Sequence, residues 1–191
     1  MKKLAGKILG FWRSDERGSL SVEAIFAFPM LIFFLIALYV FFDAFKAQNT
    51  SYRANYTISD MLSRQTDPVD QNFLNGLDKV FRFMTHAGPE NSWIRVSVVR
   101  CTANCTDENS RQLSWVWSHG TNGARSLGAN DITFYKSKIP LFAYGDRLIF
   151  VETSRQYFPP FTNPLFTFAG RDLVSFTVTR PRFAPQLLWH S

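Results

Sequence analysis

From Ala24 to Phe42 the sequence reads AIFAFPMLIFFLIALYVFF, 19 residues without a charge between Glu23 and Asp43. A helix of that length spans about 28 Å, close to the roughly 30 Å hydrocarbon core of a bilayer. A buried helix of a water-soluble domain is normally shorter and apolar on one side only, so the run predicts a transmembrane helix. The mean hydropathy of the whole chain is near neutral, which confines the membrane character to this one place. Roughly 150 residues remain beyond it, the size of a single domain.

Five basic residues (Lys2, Lys3, Lys7, Arg13, Arg17) precede the run, whereas residues 43–62 offer only Lys46 and Arg53. The positive-inside rule therefore predicts a cytoplasmic N-terminus and an extracytoplasmic remainder. A cleaved secretory signal fits poorly. The apolar stretch exceeds the usual length of about 7 to 15 residues, and Phe42-Asp43-Ala44 puts a charge where small residues belong. The formal net charge of +6 is shared between this leader and a scatter of side chains along the rest. Without clustering on one stripe it makes no nucleic-acid footprint.

The border of the span reads Asp15-Glu16-Arg17-Gly18-Ser19-Leu20-Ser21-Val22-Glu23, and Pro29 follows six residues after Glu23. This layout resembles the processing site of type IV pilins and pseudopilins. The string RGSLSVEAIFAFPMLIFF is similar to the N-terminal signature of the TadE-like family of tight-adherence (Flp) pilus assembly proteins. DLVSFTVTRPRFAPQLLW resembles that family's closing strand and basic, proline-containing tail, with Arg180 and Arg182 in it. The resemblance covers about 60 residues at the two ends. It implies a bacterial inner-membrane pseudopilin-like protein whose partners are the bilayer, pilus assembly proteins and pilin. It also implies a prepilin peptidase cutting between Gly18 and Ser19, and an assembly or registration role for Glu23 and Pro29. The chemistry is compatible: the bond lies just outside the apolar run, and a glycine without Cβ admits close approach to the backbone. At the border a carboxylate costs far less than at mid-bilayer, so Glu23 is tolerable whether or not it pairs with a new Ser19 amino group or a partner's basic residue.

No Gly or Pro interrupts residues 43–65, and Ala54, Ile58, Met61 and Leu62 recur at helical spacing, so the membrane helix is expected to continue as a stem. Asp67-Pro68-Val69-Asp70 then reads as a helix start with Asp67 as cap, followed by Phe73, Leu74, Leu77, Val80, Phe81 and Met84 on one face, ending near Gly88-Pro89. Beyond Pro89 the period becomes two. Ile94, Val96 and Val98 alternate with Arg95, Ser97 and Val99, and Leu113 to Trp117 supplies a partner strand.

Cys101 and Cys105 bracket three residues between these strands. In an oxidising compartment the simplest outcome is a disulfide, and two thiols without a nearby His leave zinc under-ligated. Ser118 to Asn130, with three glycines, reads as a polar surface loop. Two more strands, Arg147 to Tyr157 and Leu173 to Arg180, flank a Pro- and Phe-rich segment from Phe158 to Gly170.

The expected class is thus α+β: a long N-terminal transmembrane helix and stem (19–66) after a basic leader (1–18). A domain over 67–191 follows, with a second amphipathic helix and a small antiparallel sheet. His86, His119 and His190 are far apart and no nucleophile, metal-ligand or phosphate-loop motif presents itself. We therefore expect a non-enzymatic protein without metal, cofactor or small-molecule substrate. The competing expectation is an unprocessed envelope anchor that presents a binding domain unrelated to pili.

Overall fold

The structure, a computed structural model, describes residues 17–160 and 170–190, the first four of them as backbone alone. Residues 1–16 of the expected leader and 161–169 of the Pro- and Phe-rich segment lie outside it. The chain divides between Asp43 and Ala44 into two units, and one helix, α1 (Arg17–Ser63), runs through the boundary.

In the first unit, α1 is apolar on every side, and no side chain of its most apolar stretch is buried. Phe26, Phe33, Leu38 and Phe42 are each more than half exposed. This is one helix long and apolar enough to cross a membrane, close to the N-terminus. An all-round apolar surface of this extent needs an apolar surrounding, because water would be excluded from it at about 25 cal/mol per Å². Pro29 sits inside the helix and removes one N–H from its ladder.

The second unit is α+β. Its stem, the part of α1 from Ala44, buries Ala54, Ile58 and Leu62 on one row and Ala47, Ser51, Asn55, Ser59 and Ser63 on the next, each four residues apart. Small side chains on the second row bring the helix backbone close to its neighbours. Met61 does not belong to this face as expected. It is exposed, because it stands about 100° round the helix from Leu62 on the side away from the second row. The stem stops at Ser63 rather than near residue 66, and the Ser63 carbonyl accepts from the Arg182 amide at 2.7 Å, a partner for one carbonyl that a helix end leaves open.

Helix α2 (Gln71–Thr85) is capped by Asp70, whose Oδ1 accepts from the Phe73 amide at 2.8 Å. The expected cap, Asp67, is too early. Val69 stays extended because it pairs in parallel with Trp189, donating to the Leu188 carbonyl at 2.9 Å and accepting from the His190 amide at 2.8 Å. The helix therefore begins only after this bridge. Leu74, Leu77 and Phe81 are buried, Phe73 and Met84 pack beside them, and His86 ends the helix in the left-handed region.

Four antiparallel strands, β1 (Ser92–Ala103), β2 (Gln112–Gly120), β3 (Arg147–Tyr157) and β4 (Arg171–Thr179), form a sheet in the order β2-β1-β3-β4. Ile94, Val96, Val98, Ile149 and Val151 point to the stem and α2, and the C-terminal Leu187 closes that core. On the far face Val99, Leu148 and Phe150 meet Leu127, Tyr135, Ile139 and Phe142 from the segment between β2 and β3, which includes the short helix α3 (Ile132–Tyr135). The central strand β1 is buried on both sides, which explains its near-continuous apolar and small residues.

One irregularity sets the layout of β2: Val98 pairs with Trp117 but Val99 with Trp115, leaving Val116 as an extra residue. Without such a bulge, two tryptophans two positions apart would share a face. With it, Trp117 joins the stem core and Trp115 the far core.

Residues 118–130 leave β2 at Gly120 and form the expected surface loop, most of it exposed, but the loop is anchored to the domain. Thr121 and Leu127 are buried; Thr121 Oγ1 accepts from the Ile94 amide at 3.0 Å, and Asn122 Nδ2 donates to the Ser92 carbonyl at 2.8 Å. Gly120 is required here because a Cβ would lie 2.6 Å from the Ala124 carbonyl oxygen.

Candidate functional site

The expected site residues fall in separate places. Gly18 and Ser19 lie on α1, whose described part opens at Arg17, and their side chains are outside the described set. Glu23 and Pro29 both lie on α1 and are both exposed. Six residues apart, they project about 120° from each other, so a single flat contact does not engage both.

Cys101 and Cys105 form a disulfide, with Cα atoms 5.8 Å apart. Both are buried in the far core, so the link is part of packing as well as of the loop. The loop continues into a turn ordered by Asp107, whose carboxylate accepts from the Ser110 hydroxyl and the Asn109 amide; these bonds hold its pKa below the usual range. Next comes Arg111, only 3% exposed, whose guanidinium donates to the carbonyls of Lys136, Ile139 and Pro140. Three carbonyl dipoles in place of a carboxylate fasten the disulfide loop to the segment that covers the far face.

A second buried cation lies at the middle of the sheet. Arg95 on β1 and Glu152 on β3 are register partners, and Arg95 Nε donates to Glu152 Oε2 at 2.7 Å. The guanidinium also donates to the Tyr135 hydroxyl at 2.8 Å and the Arg125 carbonyl at 2.9 Å. Burial, and then the Glu152 charge, push the Tyr135 pKa up. The sequence placed Arg95 on an alternating polar face; the overlooked signal was a glutamate directly after the apolar run Leu148 to Val151.

The three histidines do not converge. His119 stacks on Trp189 at 3.6 Å between ring centroids and 8° between planes, and burial lowers its pKa. His86 forms the end of α2, and His190 contributes its amide to the bridge with Val69. Among the described residues, no group of three or more His, Cys, Asp or Glu side chains is arranged to hold a metal ion. Along the free edge of β2 runs a pocket of about 260 Å³ between Leu113, Trp115 and Trp117 on one side and Leu127, Ala129 and Ile132 on the other. Ser114 also lines it, and none of its lining side chains titrates.

Arg180 and Arg182 in the tail are engaged internally. Arg180 pairs with Asp146 at 2.5 Å and Arg182 with Asp60 at 3.5 Å. The tail as a whole lies back across the stem side: Leu187 is buried, its carbonyl accepts from the Trp117 indole at 3.0 Å, and Trp189 packs on Trp117 and His119.

No family model, curated protein or solved structure matches the chain.

Proposed function

We propose that the chain is a pseudopilin-like component of a tight-adherence pilus assembly system, anchored in the bacterial inner membrane with its N-terminus in the cytoplasm. In this reading it works by protein association rather than by catalysis. The observation that carries the reading is the unbroken helix from Arg17 to Ser63. It carries Glu23 and Pro29 through the apolar run and becomes a stem under an antiparallel sheet. With no hydrophobic force between helices in lipid, association there relies on close contact and polar pairing, which gives the exposed Glu23 carboxylate a use at the membrane border. The basic leader and the sparse positive charge of residues 43–62 support the orientation.

Intact-mass measurement of the membrane-resident protein tests the processing step: a mature chain beginning at Ser19 is expected. A Gly18→Val variant is expected to retain the leader and to abolish surface pili. A wild-type membrane protein that still begins at Met1, or a Gly18→Val strain with normal pili, would instead favour an unprocessed anchor.

A further inference from the structure

Ser114 on β2, Arg100 on β1 and Arg147 on β3 are successive register partners, one row across three strands. The row follows Val98 and Ile149, a pair of the stem-side core, and alternation puts its three side chains on that same face. Like charges directly opposite each other destabilise a sheet, so the Arg100–Arg147 pair is a cost that folding alone does not explain. Arg100 is exposed and Arg147 half-buried, and among the described residues neither guanidinium has an ion-pair or hydrogen-bond partner. Most acids at this end of the sheet are engaged elsewhere. Asp146 pairs with Arg180, Asp60 with Arg64 and Arg182, and Asp107 of the β1–β2 loop accepts from Asn109 and Ser110. Glu108 of that loop is exposed and, among the described residues, unpaired, so two free guanidiniums stand against one free carboxylate.

We propose that Arg100, Arg147 and Ser114 form a binding site for a compact phosphate oxyanion, free or carried as a monoester. Side chains directly opposite on adjacent strands start about 5 Å apart at Cβ, close enough for two guanidiniums to bracket one small anion. Each guanidinium presents a planar fork that takes two oxygens at once. A carboxylate has oxygens for one fork only, whereas a phosphate has enough to meet both and to accept from the Ser114 hydroxyl. That hydroxyl is otherwise held by a 3.3 Å bond to the neighbouring Trp115 carbonyl, long for a hydroxyl donor. A bound phosphate also cancels the repulsion between the two arginines, which links occupancy to the stability of the sheet. Arg180 and Arg182 take no part, because each is already paired with an aspartate. The site lies wholly within the second unit and belongs to it whether or not the chain serves a pilus.

Full-length protein in phosphatidylcholine nanodiscs, melted in sodium phosphate at an ionic strength held constant with sodium chloride, tests it. Phosphate is expected to raise the melting temperature saturably, since a ligand of the folded state alone stabilises that state. Acetate at the same concentration is expected to leave it unchanged. Arg100→Gln or Arg147→Gln is expected to raise the half-saturating phosphate concentration about tenfold, and both together to abolish the response. Without phosphate the double variant is expected to melt no lower than wild type, because a repulsion has been removed. Should it not fold, Arg100→Gln alone, at an exposed position, makes the comparison. Arg53→Gln with Lys79→Gln removes the same charge elsewhere and is expected to keep the full response. Discs in which phosphatidic acid replaces part of the phosphatidylcholine separate the two sources of the anion. A shift from inorganic phosphate assigns a soluble ligand, and a shift from the lipid alone, lost in the double variant, assigns a headgroup. No shift in either arm, an equal shift with acetate, or a response retained by the double variant would overturn the proposal.

Discussion

Taking Arg95 and Glu152 out of water costs several kcal/mol per ion, and their attraction offsets this only because Tyr135 and the Arg125 carbonyl complete the donor set. Removing one partner strands the other, so Glu152→Ala is expected to destabilise the domain by about 3–5 kcal/mol in urea unfolding. Arg95→Met with Glu152→Leu should recover most of that loss. Asp78 is the opposite case, a carboxylate at 2% exposure with Arg82 and Asn122 on one oxygen and its Oδ1 buried without a partner. Burial raises its pKa above the ordinary 3.8, outweighing Arg82. A carboxyl easier to protonate when folded contributes stability at low pH and loses it as pH rises through its folded pKa. Asp78→Asn is therefore expected to be more stable than wild type at neutral pH. The gap should close as pH falls toward the ordinary carboxylate range, measured as melting temperature against pH.

Among the elements, the disulfide loop has the most direct test. Closing about five residues removes little chain entropy, so Cys101→Ser with Cys105→Ser is expected to cost about 2 kcal/mol. Wild type in reductant should match it in denaturant titration. The loop's closeness to Arg111 extends the effect to the far-face segment, whose amides should exchange faster in both states. These elements also show how much the chain declares locally. The long helix, α2, the four strands and the disulfide were all legible, because each rests on a period or a spacing a few residues long. Met61 and Asp67 were misjudged, and the anchoring of the 118–130 loop was missed, because these depend on remote partners. Met61 looks like a core residue until the Ser51–Asn55–Ser59 row claims the face, and Asp67 looks like a cap until Trp189 holds Val69 extended. The Gly-rich loop 118–130 is largely solvated, yet Asn122 ties it to Asp78 and Ser92. The Arg95–Glu152 pair, 57 residues apart, leaves no local trace beyond two charges in apolar strands.

For the molecule as a whole, the apolar run that predicted a membrane helix is the run the structure leaves uncovered, while the candidate processing and registration residues sit on it as isolated positions. The roles proposed for them rest on resemblance alone, since cleavage and assembly would depend on other proteins. The second unit is held together by its tail. Trp189→Ala is expected to lower its stability by about 2–3 kcal/mol through loss of ring burial on Trp117 and His119. The same variant should restore solvent accessibility to His119, read as a rise in its pKa by NMR titration, because burial is what lowers it.

The strand bridge between Val69 and Trp189 also fixes a schedule. The stem is synthesised well before residues 182–190, yet the carbonyl at the stem's end and the backbone ahead of α2 both take those later residues as partners. A growing chain can build the sheet's hairpin early but cannot seal this module until the segment beyond β4 has been made. A polypeptide truncated directly after β4 would therefore remain unlatched however long it was given.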